Sequence, residues 1–328
     1  MPSKALIPPS DLQHNVEIPQ SEPPKDLRLL AQMYFASQVQ GQAPGTMRAK
    51  RDDLQHFLEF YFDLYQHYEP AEWYPAVTRE WLNKLKRSRK VAPATAVRRY
   101  ATIRHFARWA HDNVFRFPLG CPTEGIKAPP EPETDWHGLD RKNELRLIAA
   151  AQKLRNGGTG AAGRQGIRDL AMLYSLLGSG LRISELLALD LDQYDGKGFR
   201  DLLVKGNVRR RFVKLWGADP KQALTEWLKE RGDEAGPLFL TRTGKRMLRD
   251  QAFRIIKRME EQANAHLPER EKFSVTPHSL RHTLLKKLAD QKGLHVAMKQ
   301  SGHRSPKYIW RYVQPSDDAL ENGDDELD

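Results

Sequence analysis

The sequence predicts a mainly α-helical protein: an all-α N-terminal domain followed by a mixed α+β domain with a small antiparallel sheet. Three observations predict it. Apolar residues recur at helical spacing through most of the 328 residues. A single clear β signal, FRDLLV and RRRFVKLW flanking Lys205-Gly206-Asn207-Val208, reads as a hairpin with Gly-Asn in its turn. Residues 118–132 hold five prolines, each pushing the residue before it towards an extended conformation, and so mark a boundary between two helical runs.

Composition narrows the function before any motif is considered. The chain has 53 Lys and Arg against 42 Asp and Glu, a net charge of +11 and a pI near 9.6, which point to a polyanionic partner. Residues 316–328 carry seven acids and no Lys or Arg, so the rest is more basic than the total suggests. Solvated surface lysines are the bland account of such a charge. Nucleic acid is favoured because the arginines fall on predicted helices among aromatics. The single cysteine, Cys121, excludes an internal disulfide framework and a multi-cysteine zinc site. No apolar run approaches the roughly 18–20 residues that span a bilayer, and no secretory signal is visible at the start. A reducing, cytoplasmic setting is expected.

Taken in order, residues 1–26 are proline-rich and read as a flexible arm. A helix is predicted from Asp26 to Val39, broken by Gly41 to Gly45. Thr46 is the expected N-cap of the next helix, which buries Leu54, Phe57, Leu58, Tyr61 and Leu64. A third helix covers Thr78 to Arg89. A fourth, Pro93 to Asp112, buries Ile103, Phe106, Ala107 and Ala110 and carries Arg98, Arg99, Arg104 and Arg108 with Asp112 as its only acid. Those four arginines are expected to be unpaired and, with Lys84, Lys86 and Arg87 upstream, to form a DNA-backbone contact surface; a solvated basic face is the alternative. The helical domain is placed at 27–117, a semi-stiff proline-rich linker at 118–138, a second domain at 139–315 and an acidic tail at 316–328.

The second domain opens on a predicted helix from Asp140 to Leu154. The glycine-rich NGGTGAAGRQG at 156–166 lacks the Gly-Lys-Ser/Thr ending of a P-loop and reads as a mobile loop without nucleotide. A buried helix, Ile167 to Leu177, runs into Gly178-Ser179-Gly180, whose glycines permit a tight turn. Arg182 then sits at or just before a new helix, with Glu185 three residues on to brace its guanidinium; a structural salt bridge is the simpler reading of that pair. Lys205 falls at the hairpin tip. Helices follow at 218–231 and 250–265, the latter with Phe253, Ile256 and Met259 inward. In Thr276–Tyr312, Pro277 suits a helix start, and His278 and Arg281 lie three apart on one helical face. Leu280, Leu284, Leu285 and Leu288 form the apolar stripe behind it. A cation beside a proton-transfer group suggests a phosphate site.

The ordered set GLRISELLAL, VKGNVRRRFVKL, TPHSLRHT, and SGH followed nine residues later by Tyr312 resembles the tyrosine recombinases of the lambda-integrase type. The likeness covers about 140–315 by motif and, more weakly, 27–117, which is similar to the family's core-binding domain. It implies Tyr312 as nucleophile, Arg182 and Arg281 as a phosphate clamp, and Lys205 as acid to the leaving 5′ oxygen. It further implies His278 as acid/base, His303 as a hydrogen bond to the phosphate, and Glu185 as support behind Arg182. Tyr308, four residues before Tyr312, is set aside on the His303 spacing, and Trp310 reads as packing. His278 and His282 have a zinc-helix spacing but lack a glutamate base between them, so no metal and no cofactor are expected.

The family commonly has Leu-Leu before Gly-His. This chain has Gln300-Ser301, a change expected to alter packing near His303 rather than chemistry. The partners implied are double-stranded DNA with an inverted-repeat core site, a homotetramer on two such sites, and accessory proteins, at the bacterial nucleoid and away from membranes. A mobile-element resolvase is the role favoured. A catalytically idle DNA-binding accessory and a strand-swivelling topoisomerase share the fold and remain the alternatives.

Overall fold

The computed structural model describes residues 24–88, 90–131, 138–203 and 210–302, with only the backbone of Leu203 included. The chain divides at residue 133 into two compact units, each with its own core.

Among the described residues, the regular elements of the first unit are all helical. α1 (Leu27–Tyr34) starts where the Asp26 carboxylate accepts the Arg28 backbone N–H at 2.7 Å, and it continues into a π-helical turn, Phe35–Val39. α2 (Pro44–Tyr65), α3 (Pro75–Arg87) and α4 (Pro93–Asn113) each open on proline, whose missing N–H is one the first turn would leave unbonded anyway. Pro44 therefore starts α2 two residues before Thr46, which lies inside the helix and does not cap it. Leu54, Phe57, Leu58 and Tyr61 are fully buried, but Leu64 is 40% exposed: it sits at the edge of the stripe, one residue before the helix ends. Aromatics fill this core, with Phe57 edge-on to Trp81 at 5.4 Å and 4.6 Å from Trp73.

The proline-rich stretch begins as part of that core. The Thr78 hydroxyl donates to the Pro122 carbonyl at 2.7 Å, and the Tyr100 hydroxyl to that of Ile126 at 2.8 Å. Thr123 is buried, and Cys121 and Ile126 pack on the aromatic cluster. Prolines that disfavour helix do not prevent docking when core side chains offer donors to their carbonyls.

The second unit contains α5 (Arg141–Asn156), α6 (Gly160–Ser179), α7 (Ile183–Ala188), β1 (Gly198–Leu203) and β2 (Arg210–Lys214). α8 (Ala218–Arg231), α9 (Arg249–Asn264), α10 (Pro277–Lys292) and α11 (Leu294–Ser301) follow among the described residues. α6 is buried almost continuously from Arg168 to Ser179 and packs against α5, α8 and α10, so the core surrounds it. Residues 160–166, expected as a mobile loop, are its first turns. Gly166 serves close packing: a Cβ there would lie 2.8 Å from the Arg155 Cα of α5. The mainly α class with one small antiparallel sheet is as predicted; β1 and β2 pair with Gly198 opposite Lys214 and an irregularity between Phe199 and Leu202. Among the described residues no helix is long and apolar enough to cross a membrane.

Candidate active site and nucleic-acid interface

The centre of the site is the turn between α6 and α7. Gly180 ends α6 in the left-handed region at φ +63°, and a side chain there would press on Leu284, 3.2 Å from its Cδ2. Arg182 follows as the N-cap of α7. Glu185 reaches back along that first turn: Oε2 accepts the Arg182 backbone N–H at 2.9 Å and Oε1 accepts its Nη1 at 2.9 Å. Arg182 remains half exposed, whereas Glu185 is largely covered, at 49% and 18% of their side chains.

Arg281 comes to the same turn from α10 and is 1% exposed. One terminal nitrogen donates to the Gly180 carbonyl and the other to the Ser301 carbonyl at 2.8 Å. Thr276 caps the helix that carries it, accepting the Ser279 backbone N–H at 3.0 Å, and Leu280, Leu284, Leu285 and Leu288 are all buried behind it. His278, in the first turn of α10, is exposed, so it and Arg281 differ in depth although only three residues separate them. Its ring stands edge-on to that of the buried His282, with centroids 4.3 Å apart. Lys205, His303, Tyr308, Trp310 and Tyr312 lie outside the described residues.

Two further residues belong to this cluster. Arg211 on β2 is largely covered, with 12% of its side chain exposed; its Nη2 donates to Glu185 Oε2 at 3.3 Å and its Nη1 to the Gln300 carbonyl at 2.6 Å. Strand alternation carries the signal, since Val213 and Leu215 on the same side of RRRFVKLW are fully buried. Gln300 donates from Nε2 to the carbonyls of Ser179 at 2.8 Å and Lys214 at 2.7 Å. The Gln-Ser departure thus joins the ends of α6, β2 and α11.

Three arginines therefore surround one carboxylate. Burial pushes the Glu185 carboxyl up, but the Arg182 backbone N–H and the charges of Arg211, Arg182 and Arg281 outweigh it, and its pKa is held below the ordinary value. Burial likewise lowers Arg211, against the pull of Glu185, and the guanidinium keeps its charge at neutral pH. The arrangement leaves excess positive charge at a partly covered turn, suited to a phosphodiester.

The basic residues of the first unit are less uniform than the sequence implied. Arg98 is not unpaired: its Nη1 lies 2.7 Å from Asp53 Oδ2 on α2, and Arg99 approaches Oδ1 at 3.9 Å. Thr102 adds a 2.8 Å hydrogen bond to Asp53 Oδ2. Arg104 is half-buried and Arg108 exposed one turn further on. Lys84 pairs loosely with Asp63 at 3.5 Å, while Lys86 and Arg87 are exposed in the last turn of α3, where they also complement the helix dipole.

The model of the phage integrase family matches residues 138–318, more than half of the chain, and the chain belongs to this family of tyrosine recombinases. Among its relatives, the tyrosine recombinase XerC of Corynebacterium efficiens is 29% identical over 290 residues, covering 86% of this chain and 84% of its own. That of Pelobacter propionicus is 29% identical over 297 residues, with 85% and 87% covered. A lambda integrase dimer bound to a COC' core site shares the fold at a TM-score of 0.68 and 14% identity, over 88% of this chain and 77% of its own. The Tn1549 transposon integrase in complex with circular intermediate DNA does so at 0.66 and 20%, over 91% and 98%. The protein is an enzyme of the tyrosine site-specific recombinase class.

Proposed function

We propose that the protein cuts and rejoins double-stranded DNA at an inverted-repeat core site through a 3′-phosphotyrosyl intermediate. The observation that carries this reading is the convergence of Arg182 and Arg281 on the Gly180 turn, with Glu185 between Arg182 and Arg211. In the proposed reaction the Tyr312 phenolic oxygen attacks the scissile phosphorus, forming the phosphotyrosyl bond as the P–O bond to the 5′ oxygen breaks. Lys205 gives that oxygen its proton, so a free 5′-hydroxyl leaves. Arg182 and Arg281 hold the non-bridging oxygens and neutralise the charge that grows on them. His278 takes the tyrosine proton, and His303 hydrogen-bonds the phosphate. Rejoining reverses these steps and needs no ATP, because the covalent link conserves the bond energy. No metal or cofactor takes part.

Residues 27–117 serve in this reading as the core-binding domain and 139–315 as the catalytic domain. Lys84, Lys86, Arg87, Arg98, Arg99, Arg104 and Arg108 supply backbone contacts, Arg98 and Arg99 only in part because of Asp53. Four protomers bring two sites together and exchange strands through a Holliday junction at the bacterial nucleoid, with accessory proteins setting direction. A mobile-element role accords with the Tn1549 integrase among the structural neighbours. Resolution of chromosome dimers is the second reading, favoured by XerC and XerD relatives. A short inverted repeat beside the gene, bound by the protein, would support the first.

A suicide substrate nicked near the core site tests the chemistry. Wild type should form a covalent adduct and Tyr312→Phe none. No adduct with wild type would leave an idle accessory protein, and an adduct surviving Tyr312→Phe would overturn the choice of nucleophile. Relaxation of plasmids that lack any specific site would instead indicate a topoisomerase.

A further inference from the structure

We propose that Arg211 is a positioning residue that neutralises Glu185 and so keeps Arg182 available to the scissile phosphate. The inference rests on the recombinase reading above and concerns how its clamp is kept ready. Glu185 has two guanidinium partners: Arg182 on Oε1 at 2.9 Å and Arg211 on Oε2 at 3.3 Å. Arg211 is the more covered of the two, and the half-exposed Arg182 is the one that can turn towards DNA. Without Arg211, this largely covered carboxylate would lean more heavily on Arg182, the other guanidinium hydrogen-bonded to it, with Arg281 adding its charge from nearby. The phosphate would then compete with Glu185 for the same planar fork.

Arg211 also fixes the approach to the next element of the site. Its Nη1 holds the Gln300 carbonyl at 2.6 Å, and the guanidinium packs beneath Gly302, where an added Cβ would lie 3.1 Å from Cζ. Gly302 adopts φ +72° and immediately precedes His303. The Gln300 amide fastens the same turn to Ser179 and Lys214. One side chain on the hairpin thus links the acid behind Arg182 to the turn before His303. A lysine would keep the charge but not the planar fork that spans both acceptors.

The test is single-turnover cleavage of the suicide substrate at saturating DNA, with affinity measured separately by mobility shift. Arg211→Met should slow cleavage by about 10²-fold, comparable to losing one electrostatic stabiliser, with affinity changed less than about threefold. The double variant Glu185→Gln/Arg211→Met should recover at least about tenfold over Arg211→Met, because the acid that captures Arg182 is gone. Arg211→Lys should fall between wild type and Arg211→Met, and serves in its place if Arg211→Met fails to fold by circular dichroism. Cleavage by a folded Arg211→Met (or, failing that, Arg211→Lys) at the wild-type rate overturns the proposal. So does a double variant no faster than the single one, since Arg211 would then act only in packing. Either outcome with a normal wild-type adduct leaves the recombinase reading standing; loss of the wild-type adduct removes that reading itself.

Discussion

Each unit sets two arginines against one acid, and the two acids behave in opposite ways. In the first unit Asp53 is fully buried and receives Arg98 and Thr102 on one oxygen, while Arg99 stays 3.9 Å from the other. Burial outweighs these partners and its pKa is raised. In the second unit Glu185 keeps some exposure, uses both oxygens, and has a third arginine nearby, and its pKa is lowered. The difference lies in how completely the donors answer the cost of burial. Asp53 joins α2 to α4 in a mainly structural contact. Glu185 holds a charge balance at a turn where another anion can be received.

That contrast is most sharply tested by chemistry. Arg182→Ala should reduce cleavage of the suicide substrate by about 10³-fold or more, while Asp53→Ala, kept below its unfolding transition, stays within about threefold. Arg281→Ala should also abolish cleavage, with DNA binding by either arginine variant largely retained. A Asp53→Ala chemical step as slow as that of Arg182→Ala would erase the distinction between the two acids.

Stability should rank the other way. Removing Asp53 leaves Arg98 with the Ala49 carbonyl and Thr102 with the Arg98 carbonyl, and Asp53→Ala should cost about 2–3 kcal/mol in urea unfolding, discounted from a fully buried pair because Arg98 is half exposed. Arg182→Ala loses only a partly exposed pair and should cost less than about 1 kcal/mol. Equal costs would mean that Asp53 is no structural contact.

A smaller effect separates the acids by pH. A depressed folded-state pKa gives Glu185 a stabilising contribution that is present above its ordinary value of 4.5 and lost as pH falls through its folded-state value. The advantage of wild type over Glu185→Gln should therefore shrink as melting is followed below pH 4.5. Asp53, whose pKa is raised above 3.8, has the opposite sign: its ionisation favours the unfolded chain, so wild type should gain on Asp53→Asn as the medium is acidified. Parallel trends in the two comparisons would contradict the assignment.

The weakest effect concerns salt. DNA affinity should fall steeply with ionic strength, and Lys86→Ala and Arg87→Ala should each reduce the log–log slope by about 1. Arg98→Ala should change it less, because that side chain is engaged by Asp53. A flat response in wild type would remove the basic clamp altogether.

Much of the fold was legible because periodicity, prolines and caps are local signals: Pro93 and Pro277 open helices where the sequence placed them, whereas Pro44 and Pro75 open theirs two and three residues ahead of the expected Thr46 cap and Thr78 start. Arg182 and Glu185 were legible for the same reason, lying within one helical turn. Partners distant in sequence were not. Nothing in α4 announces that Asp53, 45 residues earlier, meets Arg98, and a run of arginines conceals that Arg211 turns inward on β2 while Arg210 stays exposed. The glycine-rich start of α6 misled because glycine signals a loop by propensity and close helix packing by tertiary context.

The two carbonyls held by Arg281 have a consequence for the life of the chain in the cell. Gly180 lies 101 residues before it and Ser301 lies 20 after it. The arginine pocket therefore cannot assemble until nearly the whole second unit has been translated and folded. A chain cut short before Ser301 lacks one of the two carbonyls that seat Arg281, so its arginine pocket should stay unformed even where the first unit has folded.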